Sequence, residues 1–108
     1  MAVILRIWRA YADVSAADRY PRHLLEKVRP ALEGIAGFRG LFLVARQRGD
    51  EVEYVVQTLW DSMDAIRTFA GPHPERAVVE PAAAAVLRRF DETVDHYEVL
   101  SAPTIKVI

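Results

Sequence analysis

Polar and apolar residues alternate most regularly between Glu51 and Trp60. Val52, Tyr54, Val56, Thr58 and Trp60 share one face of that segment, and Glu53, Val55, Gln57 and Leu59 share the other. A period of two predicts a half-buried strand. Phe38 to Arg48 reads as a second strand, joined to it by the tight connection Gly49-Asp50. Val3 to Tyr11, rich in Val, Ile, Leu, Trp and Tyr, predicts the first strand, and Thr93 to Leu100 the last.

Between the strands the period changes to that of a helix. Leu24, Leu25, Val28, Leu32 and Ile35 form one apolar stripe. Ser15-Ala-Ala-Asp18 has capping-box spacing, and Pro21 is tolerable in a first turn. Pro30 lies inside the pattern and is expected to kink it, and Gly34 and Gly37 close it. A second helix is predicted from Asp61 or Ser62, through Ile66 and Phe69, to Gly71. Gly71-Pro-His-Pro74 reads as a loop, and Pro81 opens a short Ala-rich helix, Ala82 to Phe90.

The order β-α-β-β-α-(α)-β is the split βαβ pattern, so the fold class expected is α+β, a ferredoxin-like sandwich. Residues 1–101 read as one domain. Residues 102–108 read as a C-terminal tail whose apolar residues predict an extra or exchanged strand at a sheet edge. Two helices cover one face of such a sheet. The other would present Ile4, Trp8, Leu41, Leu43, Val55, Leu59, Val94 and Leu100. A patch that apolar rarely stays in water, and a second copy is the economical cover, so a homodimer is expected.

Composition narrows the function classes. Of 108 residues, 52% are hydrophobic and 27% charged, an ordinary globular balance. A net charge of -1 leaves no electrostatic footprint for nucleic acid. Cysteine is absent, which removes thiolate nucleophiles and Cys-based metal sites. No apolar run reaches the ~20 residues of a membrane helix, and Arg6 and Arg9 interrupt the apolar start, so a cytoplasmic location is expected.

Candidate chemistry concentrates on one face. His23, His73 and His96 lack ligand spacing, so no metal site is expected. Glycine-rich phosphate loops and the GxSxG nucleophile motif are also missing. What remains is a set of aromatic and polar residues assigned to the helix-covered face: Arg9, Tyr11, Phe42, Tyr54, Thr58, Trp60 and Tyr97. Phe69 and His73 join it from the second helix and its loop. Each aromatic alone reads as core filling, but as a set they outline a small-molecule pocket. His96 falls by alternation on the opposite face beside Glu98, Gln57 and Arg6, where it reads as part of a satisfied polar network.

Four stretches carry a family resemblance. Ile4-Leu-Arg-Ile-Trp-Arg9, Pro30-Ala-Leu with Gly37-Phe-Arg-Gly40, Thr58-Leu-Trp-Asp-Ser-Met63 and His96-Tyr-Glu-Val99 resemble, in order and spacing, antibiotic biosynthesis monooxygenase (ABM-like) domains over residues 3 to 100. The resemblance implies a dimeric α/β barrel with a cavity between sheet and helices in each subunit. Some members oxygenate aromatic polyketides without metal or flavin, and others degrade haem. Haem-degrading members use an Asn, a Trp and a His at positions that match Ile7, Phe69 and Val79, so haem is disfavoured and no cofactor is expected.

Quinone-forming members use Asn, Trp, Tyr, Arg and His around a phenol. This chain offers Trp60, Tyr54, Arg9 and His73, and contains no Asn. The resemblance implies a cofactor-independent monooxygenase acting on a small aromatic compound, with His73 as base and Arg9 holding the phenolate. Two rivals stand beside it, a non-catalytic dimeric module for a small apolar ligand and a non-redox isomerase or cyclase. An open pocket on which Arg9, Tyr54, Trp60 and His73 converge would favour catalysis.

Overall fold

The computed structural model describes residues 3–101 and residue 106. Lys106 apart, the tail strand expected over 102–108 lies outside the described residues. Strand β1 (Val3–Asp13) is central, and every pairing is antiparallel. One edge of β1 pairs with β3 (Glu51–Trp60), which pairs in turn with β2 (Phe38–Arg48). The other edge carries two short strands in succession. Strand β4 (Arg89–Phe90) lies opposite Ala10 and Tyr11, and β5 (Asp95–Val99) lies opposite Val3 to Ile7. The fold is the expected α+β, ferredoxin-like one.

Two boundaries differ from expectation, the strand's because residues 92–94 bond to residues 75–77 instead of to β1. The helix expected to reach Phe90 stops after one turn, α4 (Pro81–Ala84), and the last strand begins only at Asp95. The free edge of β1 needs hydrogen-bond partners. The Arg88 amide donates to the Tyr11 carbonyl at 2.7 Å and the Asp91 amide to the Arg9 carbonyl at 3.0 Å. An alanine helix with no side-chain cap competes poorly with those bonds.

The first helical run comprises α1 (Arg19–His23), a π-helical turn (Leu24–Val28) and α2 (Arg29–Glu33). Pro30 has no N–H to give the Glu26 carbonyl, and the run accommodates the loss through the wider turn just before it. The expected capping box is not formed. Ser15 lies in a 3₁₀ turn, and Asp18 precedes α1 with its carboxylate on Arg22 at 3.0 Å. Helix α3 (Met63–Ala70) is capped by Ser62, whose Oγ accepts from the Ala65 amide at 3.1 Å. Gly37 has φ +92°, and a Cβ there would stand 2.6 Å from the Ala65 Cβ, so glycine lets this loop lie against α3.

The described helices lie on one face of the sheet. Val52, Tyr54, Val56, Thr58 and Trp60 of β3 point into it, as their alternation predicts. Directly opposite residues share a face. Ile4, Arg6, Trp8, Ala10 and Ala12 therefore join them from β1, and Leu41 and Leu43 from β2. Here the expectation is corrected, because the phase of β1, β2 and β5 is the reverse of the one assigned. Arg9 and Tyr11 stand opposite Val55 and Glu53, Phe42 opposite Gln57, and Tyr97 opposite Leu5, all on the uncovered face. That face is still apolar, carrying Leu5, Ile7, Phe42, Val44, Leu59 and Val99. Val94, expected there, is buried, and Leu100 lies beyond β5. No described helix is long and apolar enough to cross a membrane.

Candidate functional site

Between sheet and helices lies a partly open cavity of about 70 Å³. Its walls are apolar: Trp8 and Val56 from the sheet, Leu24 and Phe69 from the helices, Ala83 and Val94 from the later segments. Five residues bring polar chemistry, Arg6 and Thr58 on the sheet side, Tyr20 and His23 from α1, and Glu80 just before α4.

Arg6 is the least expected of them. Its side chain lies inside the sandwich, and the residue is only 5% exposed. Nη1 donates to the Pro74 carbonyl at 2.5 Å and lies 2.9 Å from His96 Nε2, while Nη2 donates to the Arg76 carbonyl at 3.0 Å. The guanidinium also lies 5.9 Å from the centre of the Phe69 ring. Among the described residues no carboxylate comes within ion-pair distance of it, and burial pulls its pKa down to about 10. A guanidinium has no acceptor, so the facing His96 nitrogen must accept. His96 is accordingly neutral. Burial, and then the Arg6 charge, hold it below its ordinary 6.5, with Asp95 and Glu75 opposing.

Thr58 and Trp60 form a second unit. The indole Nε1–H donates to Thr58 Oγ1 at 2.8 Å, and the Trp60 ring stacks on Phe69 with centroids 5.9 Å apart. Trp60 is wholly buried and stands one hydrogen bond behind the cavity wall. The Thr58 hydroxyl keeps its own hydrogen for a further acceptor. Tyr54 belongs to the core. Its hydroxyl donates to the Ala17 carbonyl, its ring packs on Tyr20 at 5.4 Å, and burial raises the pKa of both phenols.

Of the nine residues singled out in the sequence, Thr58 and Phe69 line the cavity and Trp60 supports it. The expected convergence of Arg9, Tyr54, Trp60 and His73 does not occur. Arg9 faces the other way and lies 3.6 Å from Asp95. Tyr11 lies under the Arg89 guanidinium, 3.7 Å from its ring centre, and Phe42 and Tyr97 are exposed on the uncovered face. His73 is an exposed loop residue 3.6 Å from Glu75. His96 does adjoin Arg6, but on the helix side, away from Gln57. Arg6, His23 and Glu80 are the functional candidates that sequence reasoning missed. Among the described residues no cluster of three or more His, Cys, Asp or Glu could hold a metal ion.

No family model matches the chain, and no curated protein matches its sequence. Solved structures do share its fold. SnoaB, a cofactor-independent oxygenase from Streptomyces nogalater, superposes with a TM-score of 0.60 at 17% identity, over 97% of this chain and 98% of that one. A monooxygenase from the gene ActVA-Orf6 of Streptomyces coelicolor, in complex with nanaomycin D, gives 0.59 at 14% identity, over 99% and 93%. The haem-degrader MhuD of Mycobacterium tuberculosis, with two haems bound in its active site, gives 0.62 at 23% identity, over 94% and 99%. The chain thus has the ferredoxin-like fold of the structures known as antibiotic biosynthesis monooxygenases.

Proposed function

We propose that this chain, built on the monooxygenase fold, oxidises a small phenolic compound with O2 in the cavity beside Arg6 and Thr58, without a bound cofactor. The observation that carries the reading is Arg6: a buried guanidinium on the wall of an apolar cavity, with no carboxylate to balance it among the described residues. A buried charge is costly unless paired, and an anionic ligand oxygen would pair it. Likeness to SnoaB and to the nanaomycin-bound monooxygenase supports oxygen chemistry as an analogy of fold.

The reaction would run as follows. The phenol O–H proton leaves to a base, and its electron pair charges the ring. O2, the oxidant, bonds to the ring carbon para to the oxygen, and the resulting peroxide anion takes the proton back from the base to become a hydroperoxide. That carbon then loses its hydrogen as a proton, the O–O bond breaks, and water departs. One oxygen atom stays on the ring as a quinone carbonyl, and the other leaves as water. Arg6 would hold the phenolate, Thr58 would donate its hydroxyl hydrogen, and Trp60 with Phe69 would keep that wall in place. Arg6 thereby takes the part expected of Arg9.

The cavity's size limits the substrate. Typical ligand pockets measure roughly 300–1,000 Å³, against about 70 Å³ here. A single-ring phenol suits this volume better than a fused polyketide. Two features speak against a porphyrin. The space is small for one, and Ile7, which by resemblance stands where haem-degrading members have asparagine, points to the opposite face.

The uncovered face supports a homodimer, as a dimeric α/β barrel would require. Phe42 is 63% exposed and Tyr97 54%, and an apolar groove runs between Leu5, Phe42, Leu59 and Val99. A second copy would bury it. The catalytic reading is tested by oxygen uptake with single-ring phenols, naphthols and anthrones. One O2 consumed per quinone formed is expected. Uptake no faster than the spontaneous rate across the panel would leave a binding module instead.

A further inference from the structure

The sheet wall of the cavity offers a charge, but the proposed reaction also needs a group to take the phenol's proton. His73, the base implied by family resemblance, lies outside the cavity. Another histidine lies inside it.

His23 is the last residue of α1, where the helix widens into its π-turn. The following residues Leu24 and Val28 line the same wall. The His23 side chain is 11% exposed. Its Nε2 is shut off from solvent and has no hydrogen-bond partner among the described residues. Buried polar atoms are nearly always paired, so an orphan on a cavity wall needs an explanation. Glu80 Oε2 stands 3.7 Å from that nitrogen, too far for a hydrogen bond but within ion-pair distance. The Glu80 side chain is half exposed, which gives a proton a way out to water. Arg6, Tyr20 and Glu80 are the other titratable groups lining the cavity.

Resting on the site proposed above, we infer that His23, backed by Glu80, is the catalytic base that ionises a phenol bound in this cavity. In the tautomer with its hydrogen on Nδ1, Nε2 accepts the phenol O–H. The O–H bond breaks, an Nε2–H bond forms, and the electron pair stays on the phenolate oxygen. The imidazolium then faces the Glu80 carboxylate and the phenolate faces Arg6, so each new charge meets an opposite one. The ligand class is accordingly a small apolar molecule with one weakly acidic hydroxyl.

The test uses para-nitrophenol, whose neutral and ionised forms absorb differently. Binding is followed by tryptophan fluorescence and ionisation by absorbance, slightly below the free probe's own pKa. The wild type is expected to hold the probe as phenolate. His23→Gln is expected to bind it more weakly and with a smaller ionised fraction, the remainder being the phenolate that Arg6 alone can hold. Glu80→Gln, changed at a half-exposed position, is expected to show an intermediate ionised fraction and gives the answer should His23→Gln fold poorly. Bound probe that stays neutral in the wild type overturns the inference. So does an ionised fraction unchanged in both variants. In those cases the binding site itself stands. A probe that does not bind the wild type at all sinks the site and the base together.

Discussion

The Arg6 guanidinium and the His96 imidazole meet at 2.9 Å across β1 and β5, and only a neutral imidazole can take part in that bond. Folding therefore depends on the charge of His96. Its folded-state pKa is held below 6.5, by burial first and by Arg6 second. As pH falls through about 6.5 the unfolded chain takes up this proton before the folded one does. Stability is then full above that pH and declines below it. Thermal melts from about pH 7.5 to about pH 5 are expected to show a smaller loss in His96→Gln, whose amide oxygen can still accept from Arg6. Equal losses in both proteins would remove His96 from the acid response.

The Trp60 indole depends on Thr58 for its single acceptor. Thr58→Val keeps the shape and leaves a wholly buried donor unpaired, at a cost of about 1–3 kcal/mol. Chemical denaturation should show a lower midpoint with an unchanged slope. A cost near zero would mean that the indole finds another acceptor.

Phe42 and Tyr97 stand on the uncovered face, and Phe42 is the more exposed. Phe42→Asp should leave the fold intact by circular dichroism and halve the mass found by light scattering. A wild type that is already monomeric would contradict the paired-sheet arrangement.

Arg6, and not Arg9, should carry the phenolate. Loss of a charge-assisted hydrogen bond worth about 1.5–3 kcal/mol predicts a fall in turnover of roughly 10–100-fold in Arg6→Gln. Arg9→Gln and His73→Ala should remain within about twofold of wild type. Oxygen-electrode rates on the three variants decide this, and a large loss in Arg9→Gln would return that residue to the site.

The strand order and the helix-covered face of β3 could be read in the sequence, because period-two burial leaves a direct trace in Val52, Tyr54, Val56, Thr58 and Trp60. The phase of β2 was also readable. With Arg48 opposite Glu51 across the two-residue turn, counting back places Phe42 opposite Gln57, away from Thr58. The phase of β1 had no such local marker. Both of its faces carry large apolar residues, Ile4 and Trp8 on one and Leu5 and Ile7 on the other, and only long-range pairing with β3 chooses between them. A rule that turns arginine outward misplaces Arg6, since its burial rests on carbonyls of Pro74 and Arg76 about seventy residues away. His23 carries no sequence signal of a base, because spacing marks a histidine only as a metal ligand. The site's polar groups were the part least visible, since each breaks a local pattern and is held by distant chain.

The central claim places a phenol between the sheet and the helices, and backbone amide chemical shifts measured during a phenol titration test it most directly. The account predicts saturable shifts at Arg6, His23, Thr58, Phe69 and Ala83, with Phe42, Tyr97 and His73 unmoved. Shifts confined to Phe42, Tyr97 and their neighbours on the uncovered face would contradict it.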